Sequence, residues 1–128
     1  MGLVVLIVDE DLGFVFWLGQ IFSEAGCRAL PALNYRQALL ITATMPLQID
    51  VVVIDPEIEG TLQIIQTISK AQRDVKIVAI GNPDSGAGGE IHTHATLERP
   101  ASGQPVLHHE WLERVRGILP KLRTAGGK

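Results

Sequence analysis

The chain has little of what several protein classes require. It has one cysteine, which excludes a disulfide framework and fits a reducing compartment. Its 11 basic residues face 14 acidic ones, so the net charge is −3 and there is no basic stripe for nucleic-acid phosphates. No apolar run approaches the roughly 18 residues of a membrane span. We therefore expect one soluble, cytoplasmic domain that binds neither nucleic acid nor membrane.

What the chain does contain is a regular alternation of apolar runs and amphipathic segments. The continuous apolar runs at 3–8 and 51–54 are typical of strands buried on both faces of a parallel sheet. Strict alternation predicts a doubly wound α/β domain with helices on both faces, for which we assume the flavodoxin-like strand order 2-1-3-4-5. We assign 1–122 to this domain and 123–128 to a frayed tail. The predicted strands are 3–8, 27–32, 51–54, 75–80 and 95–98, and the predicted helices are 11–25, 34–45, 60–71 and about 106–118.

The apolar positions of the helices indicate which faces turn inward. In the first helix, Phe16 falls on the otherwise polar face, so we expect it to be exposed and to mark a protein contact together with Leu12 and Val15. Cys27 is expected to be a small buried residue rather than a nucleophile. The predicted inward residues are Phe14, Trp17, Leu18, Ile21, Phe22 and Ala25 in the first helix and Leu62, Ile65 and Ile68 in the third.

Acidic residues follow two of the buried strands. Asp9, Glu10 and Asp11 end the first strand, and Asp55 ends the third. In the predicted order these strands are neighbours, so Asp9, Glu10 and Asp55 converge at the carboxyl edge of the sheet, where open α/β folds bind ligands. Such an edge suits a divalent cation or a carboxylate nucleophile. The simpler alternative is a solvated strand end in which Asp11 caps a helix and Asp55 is a turn residue.

Four sequence segments resemble a response-regulator receiver domain of the CheY-like type, over essentially the whole chain. They are VLIVDED at 5–11, VVVIDPE at 51–57, ERP at 98–100 and EWLERVRGIL at 110–119.

The resemblance implies a signalling role rather than an enzymatic one. Asp55 would accept a phosphoryl group from a histidine kinase or a phosphotransfer protein. Mg²⁺ would be held by Asp9, Glu10, Asp55 and the main-chain carbonyl of Glu57. The domain would act through a downstream protein partner, and a homodimer is compatible with this role.

The positions that contact the phosphoryl group or switch the domain differ from the receiver pattern. Gly81 stands where receivers carry Thr or Ser, Arg99 replaces a lysine, and Thr96 replaces an aromatic residue. A lost hydrogen bond to a charged oxygen is worth about 1.5–3 kcal/mol, so we expect the switch to be impaired more than the acceptor. Asn82 is a candidate substitute donor. Arg99 keeps the positive charge but spreads it over a planar fork.

The loops also depart from the pattern. The loop after Asp55 is short, since Gly60 arrives early, and segment 81–94 is glycine-rich where receivers place a helix. We expect a long loop there with at most one helical turn. His92 and His94 lack a third placed zinc ligand, so we interpret them as exposed loop histidines. These departures keep two alternatives open: a phosphorylation-independent pseudo-receiver that acts as an interaction module, and a flavodoxin-fold small-molecule binder.

Overall fold

The computed structural model describes residues 3–44, 48–71, 74–81, 94–98 and 108–124. Within these ranges strands and helices alternate from residue 4 to residue 80, as predicted, and a fifth strand and a fourth helix lie in the last two ranges. The strands are β1 (Val4–Val8), β2 (Arg28–Ala32), β3 (Val51–Ile54), β4 (Lys76–Ile80) and β5 (Ala95–Leu97), and the helices are α1 (Leu12–Glu24), α2 (Tyr35–Thr44), α3 (Thr61–Ala71) and α4 (His108–Thr124).

The strands form one parallel sheet in the order β2-β1-β3-β4-β5, which confirms the predicted topology. The register sets Val8 opposite Ile54, and Ile54 opposite Ala79. All four residues of β3 and all five of β4 are buried. The continuous apolar runs are therefore explained by helices that cover both faces of the central strands.

Alternate side chains of each central strand enter two separate cores. On one face, Val5 and Val53 pack in a cluster that includes buried residues of α1 and α4. On the other face, Leu6 and Val52 pack in a cluster that includes buried residues of α2 and α3. This division follows from the two-residue period of a strand. The helical contributions are Val15, Leu18, Ile21, Phe22, Trp111, Val115, Leu119 and Leu122 to the first core and Ala38, Ile64 and Ile68 to the second.

The helix boundaries near the carboxyl edge of the sheet follow from capping residues. The Phe14 N–H donates to Oδ1 of the N-cap residue Asp11 at 3.1 Å. The Gln37 N–H donates to Asn34 Oδ1 at 2.9 Å, which begins α2 in the same way. Gly26, with a φ of 93°, ends α1. Both helices were predicted to within about two residues at each end, the usual uncertainty of a boundary.

Two predicted side-chain orientations are wrong. Leu62 was expected to face inward but is 42% exposed, while Ile64 is buried. The inward positions of α3 begin with Thr61 and continue at Ile64 and Ile68, a spacing of three and then four residues. Val15 is fully buried, so it is not part of an exposed patch on α1.

The last helix packs on the first through an aromatic cluster. The Trp111 ring lies 5.2 Å from the Trp17 ring and 6.0 Å from the Phe14 ring, with edge-to-face geometry in both pairs. His108 Nε2 lies 2.8 Å from Glu24 Oε2. The earlier α4 residue, His108, thus meets the later α1 residue, Glu24. Because Trp17 of α1 and Trp111 of α4 are in contact, both tryptophans report on the packing of the two helices.

The last described helix runs past the predicted end of the domain. α4 extends to Thr124, two residues beyond the proposed limit at 122, and the division into 1–122 and 123–128 remains a prediction. The expected loop at 81–94 falls almost entirely outside the described residues. Within the described ranges, no helix is both long enough and apolar enough to cross a membrane.

Candidate functional site at the carboxyl edge of the sheet

The backbone brings Asp9 and Asp55 to the same edge of the sheet. The Asp55 N–H donates to the Val8 carbonyl at 3.2 Å, so Asp55 continues the pairing of β3 with β1. The Asp9 N–H donates to the Ala32 carbonyl at 3.1 Å, which extends the pairing of β1 with β2. The two aspartates therefore follow adjacent, paired strands at this edge, and neighbouring strands lie about 4.8 Å apart.

The two aspartates make matching side-chain turns. The Asp11 N–H donates to Asp9 Oδ1 at 2.9 Å, and the Glu57 N–H donates to Asp55 Oδ1 at 2.9 Å. Each bond spans two residues and orients a carboxylate over the loop that follows its strand. Asp9 is only 2% exposed, and Asp55 is partly buried. An ionised carboxylate accepts at about four lone-pair positions, so each group has capacity beyond this one bond.

A closed turn connects Asp55 to α3. The Ile58 N–H donates to the Asp55 carbonyl at 3.1 Å, and the Thr61 N–H donates to the Ile58 carbonyl at 3.2 Å. The Thr61 hydroxyl lies 2.7 Å from the Ile58 carbonyl and 3.2 Å from the Asp55 carbonyl. The turn is therefore bonded to itself through main chain and side chain. Neither the burial of Thr61 nor its two acceptors was expected from the sequence.

Gly60 allows this turn to pack against α2. Its φ of 87° lies in the left-handed region that favours glycine. A Cβ atom added at Gly60 would lie 2.8 Å from Cγ of Tyr35, the first residue of α2. No larger residue fits there unless the ring moves. The early glycine is thus explained by a close contact between the Asp55 turn and Tyr35.

Glu10 and Glu57, the remaining predicted ligands, are both exposed. Glu57 supplies its N–H to Asp55, and the direction of its carbonyl remains a prediction. Among the residues that the structure describes, no group of three His, Cys, Asp or Glu side chains is arranged to hold a metal ion. Mg²⁺ is usually held by one or two carboxylates together with waters and phosphate oxygens. Asp9 and Asp55 fit that smaller donor set.

The predicted switch positions are only partly described. Gly81 has a φ of 151°, its N–H donates to the Leu97 carbonyl at 3.2 Å, and an added Cβ would meet no atom within 4 Å. Thr96 is exposed on β5 and pairs with Ala79. Asn82 and Arg99 lie outside the described residues.

A cavity lies between β5 and α4, beside Thr96. Its volume is 560 Å³. Glu98 and Arg114 are among its lining residues, and the Arg114 guanidinium carbon also lies 5.7 Å from the centroid of the Trp111 ring. Among the described residues, the cavity is lined by Thr96, Leu97, Glu98, Arg114, Gly117 and Ile118.

The first helix presents two exposed apolar side chains close to the acidic edge. Phe16 is 57% exposed, as expected, and Leu12 is 50% exposed. They are four residues apart, so they are neighbours on one side of α1. Leu12 is the first residue of the helix and directly follows the capping residue Asp11.

His94 is not the exposed loop residue that we expected. It is partly buried, its Nδ1 accepts the Ile77 N–H at 3.0 Å, and its own N–H donates to the Ile77 carbonyl at 2.8 Å. This reciprocal pair aligns β5 with β4. His94 does precede β5, as the loop interpretation expected, but the expectation that it is exposed is wrong, because these bonds hold it against β4.

Comparison with known proteins finds matches by structure but none by sequence. No protein-family model matches the sequence, and no curated protein matches it either. Solved structures do match the fold. The chemotaxis response regulator CheY4 of Vibrio cholerae is 16% identical with a TM-score of 0.69, and the alignment covers 92% of this chain and 99% of CheY4. A response regulator receiver protein from Sinorhizobium medicae is 15% identical with a TM-score of 0.72, and 95% of each chain is covered.

A third match is the structure of a response regulator complex. TrrA from Thermotoga maritima, in complex with Mg²⁺ and BeF, is 18% identical with a TM-score of 0.66, and 94% of this chain and 98% of TrrA are covered. At these identities the comparison establishes the fold. Together with the strand order and the helices on both faces, it shows that this chain has the fold of the CheY-like response-regulator receiver domains.

Proposed function

We propose that the chain is a phosphoacceptor receiver module in which Asp55 takes a phosphoryl group from a histidine kinase or a phosphotransfer protein. The observation that carries the proposal is the placement of Asp9 and Asp55 directly after Val8 and Ile54, which pair with each other at the ends of β1 and β3. Glu10 and the Glu57 carbonyl complete the proposed Mg²⁺ site. The likeness of the fold to the solved response-regulator receiver structures is compatible with this proposal.

The chemistry is a direct transfer to a carboxylate. An Asp55 oxygen bonds to phosphorus while the bond from phosphorus to the donor's imidazole nitrogen breaks, and the imidazole keeps the electron pair. A carboxylate is a weak nucleophile toward an anionic phosphoryl group, and a bound Mg²⁺ would neutralise charge on both. The Glu57 N–H on Asp55 Oδ1 limits rotation of the carboxylate before the donor arrives.

Phosphorylation can be tested without knowing the kinase. Incubation with acetyl phosphate and Mg²⁺ should add one phosphoryl mass to the intact protein, and Asp55→Asn should abolish the gain. Asp11→Asn is a matched control, because asparagine also caps helices and should leave labelling intact. The proposal fails if the wild type stays unlabelled under excess donor or if Asp55→Asn labels equally.

A second function is favoured by Gly81 and Thr96. Gly81 offers no hydroxyl to a phosphoryl oxygen, and Thr96 is not aromatic, so the two side chains that receivers use to transmit phosphorylation are both absent. This favours an interaction module that works without phosphate. A partner that binds wild type and Asp55→Asn with equal affinity, in the presence and absence of acetyl phosphate, would support this alternative.

The exposed pair Leu12 and Phe16 is our proposed partner contact. It lies on α1 at the end that follows Asp11, close to the acidic edge. A phosphodonor helix that delivers its histidine to Asp55 would pass this surface. We therefore expect both side chains to contribute to donor binding or to self-association.

A further inference from the structure

The Thr61 hydroxyl is buried at the base of the turn that carries Asp55. Thr61 is 5% exposed, and its Oγ1 lies within hydrogen-bonding distance of the Ile58 and Asp55 carbonyls. A hydroxyl has a single proton to donate. The bond is therefore shared between the two carbonyls or alternates between them, and the shorter contact of 2.7 Å is the one to Ile58.

Neither carbonyl depends on this hydroxyl for a partner. Asp55 O also accepts the Ile58 N–H, and Ile58 O also accepts the Thr61 N–H. Removing the hydroxyl leaves both acceptors bonded, so the fold should survive. What the hydroxyl adds is a link between Asp55, the residue that follows β3, and Thr61, the first residue of α3. That link closes the turn around the segment that contains Glu57.

The position of Glu57 matters because its N–H holds the Asp55 carboxylate. The bond to Asp55 Oδ1 is 2.9 Å long, so a shift of the Glu57 amide would remove this restraint on the carboxylate. Gly60, packed against Tyr35, restricts the same turn from the outside. The Thr61 hydroxyl restricts it from the inside.

We propose that Thr61 is a positioning residue for Asp55: through the turn and the Glu57 N–H, its hydroxyl fixes the carboxylate in the orientation that accepts a phosphoryl group. This inference rests on the proposed phosphoacceptor function. It adds a residue whose hydroxyl contacts the main-chain carbonyls of Asp55 and Ile58 rather than the donor or a cation-binding carboxylate. The role needs a side-chain donor at this position, so serine should replace threonine and valine should not.

The test compares Thr61→Val with Thr61→Ser. Labelling by acetyl phosphate at saturating Mg²⁺ should slow about 10-fold or more in Thr61→Val, because small misplacements of reacting groups are costly, and should be restored largely by Thr61→Ser. In the same proteins without donor, amide hydrogen exchange at Glu57 and Ile58 should accelerate in Thr61→Val alone. Thr42→Val is the matched control, since it removes a similar 2.8 Å bond from a hydroxyl to the Ala38 carbonyl within α2.

The possible failures are distinguishable. If the wild type is not labelled at all, the phosphoacceptor function fails and the positioning role falls with it. If the wild type is labelled and Thr61→Val is labelled at the same rate, the inference about Thr61 alone is overturned. Equal slowing in Thr61→Val and Thr42→Val would also overturn it, because the effect would then be general destabilisation. Should Thr61→Val fail to fold, Thr61→Ala carries the same comparison without added bulk at the turn.

Discussion

Gly60→Ala should destabilise the domain much more than Gly26→Ala, although both glycines have nearly the same backbone conformation. Their φ angles are 87° and 93°. A left-handed conformation costs a non-glycine residue about 1–2 kcal/mol, so this part of the penalty is common to both variants. The two sites differ in their surroundings. An added Cβ meets nothing within 4 Å at Gly26, but at Gly60 it would lie 2.8 Å from Cγ of Tyr35.

The contact with Tyr35 sets the difference between the two variants. Relieving an overpacked contact of this kind costs about 1–3 kcal/mol. We therefore expect a total loss of about 2–5 kcal/mol for Gly60→Ala, against about 1–2 kcal/mol for Gly26→Ala. Urea unfolding, followed by the fluorescence of Trp17 and Trp111, measures both free energies.

A double-mutant cycle assigns the extra cost to the tyrosine ring. Tyr35→Ala removes the ring atoms that Gly60→Ala would meet, although Cβ of residue 35 would remain 3.0 Å from the added methyl group. Gly60→Ala should therefore cost less in the Tyr35→Ala background, with a coupling energy of about 1 kcal/mol or more. Equal losses for the two glycine variants, or a coupling energy near zero, would refute the packing described for this turn.

Three further perturbations test other parts of the site. Mg²⁺ titration should shift amide resonances near residues 9–11 and 55–58, and Asp9→Asn combined with Glu10→Gln should remove the shifts; shifts that persist would place the cation elsewhere. Phe16→Ser should cost under about 1 kcal/mol of folding free energy, because the side chain is exposed, and should weaken partner capture or self-association. Gln20→Ser, at an exposed position of the same helix, is the control, and equal binding by the two variants would argue against the contact. Gly81→Thr should lower the free energy of unfolding by about 1–3 kcal/mol because of the positive φ, and Gly81→Ala should lower it by nearly as much, since the added Cβ meets no atom and the cost comes from the backbone alone. If both variants unfold at the same urea concentration as the wild type, this backbone penalty is refuted.

The Gly81 conformation also changes what can be expected from restoring a receiver-like residue. Threonine at this position would supply the missing hydroxyl, but the backbone angle of 151° does not suit a side chain with a branched Cβ. Strengthening the response to a phosphoryl analogue would therefore require the segment around Gly81 to change its backbone. The sequence shows that Gly81 lacks a hydroxyl, and the structure adds that its backbone conformation differs from one that suits threonine.

The sequence by itself determined that a parallel sheet is covered by helices on both faces and that acidic residues follow β1 and β3. The strand order that makes β1 and β3 neighbours was assumed from the flavodoxin-like arrangement, and the structure confirmed it. Continuous apolar runs at β1 and β3 can be satisfied only by burial on both faces, and alternation with helices then limits the strand order. Asp11 and Asn34 indicated where α1 and α2 begin, because capping depends on residues only three positions apart. Phe16 was recognised as exposed for the same kind of reason, since a helical period is a local property.

Only the tertiary structure decided how the Asp55 turn is held and which side of α3 is buried. Tyr35 and Gly60 are far apart in sequence, and no local pattern indicates that a ring will pack against that glycine. Thr61, rather than Leu62, takes the first inward position of α3 because its hydroxyl reaches two turn carbonyls. His94 joins the sheet through Ile77, 17 residues earlier in the chain. The contacts of Tyr35 with Gly60 and of His94 with Ile77 depend on the relative placement of distant segments, which periodicity and capping do not encode.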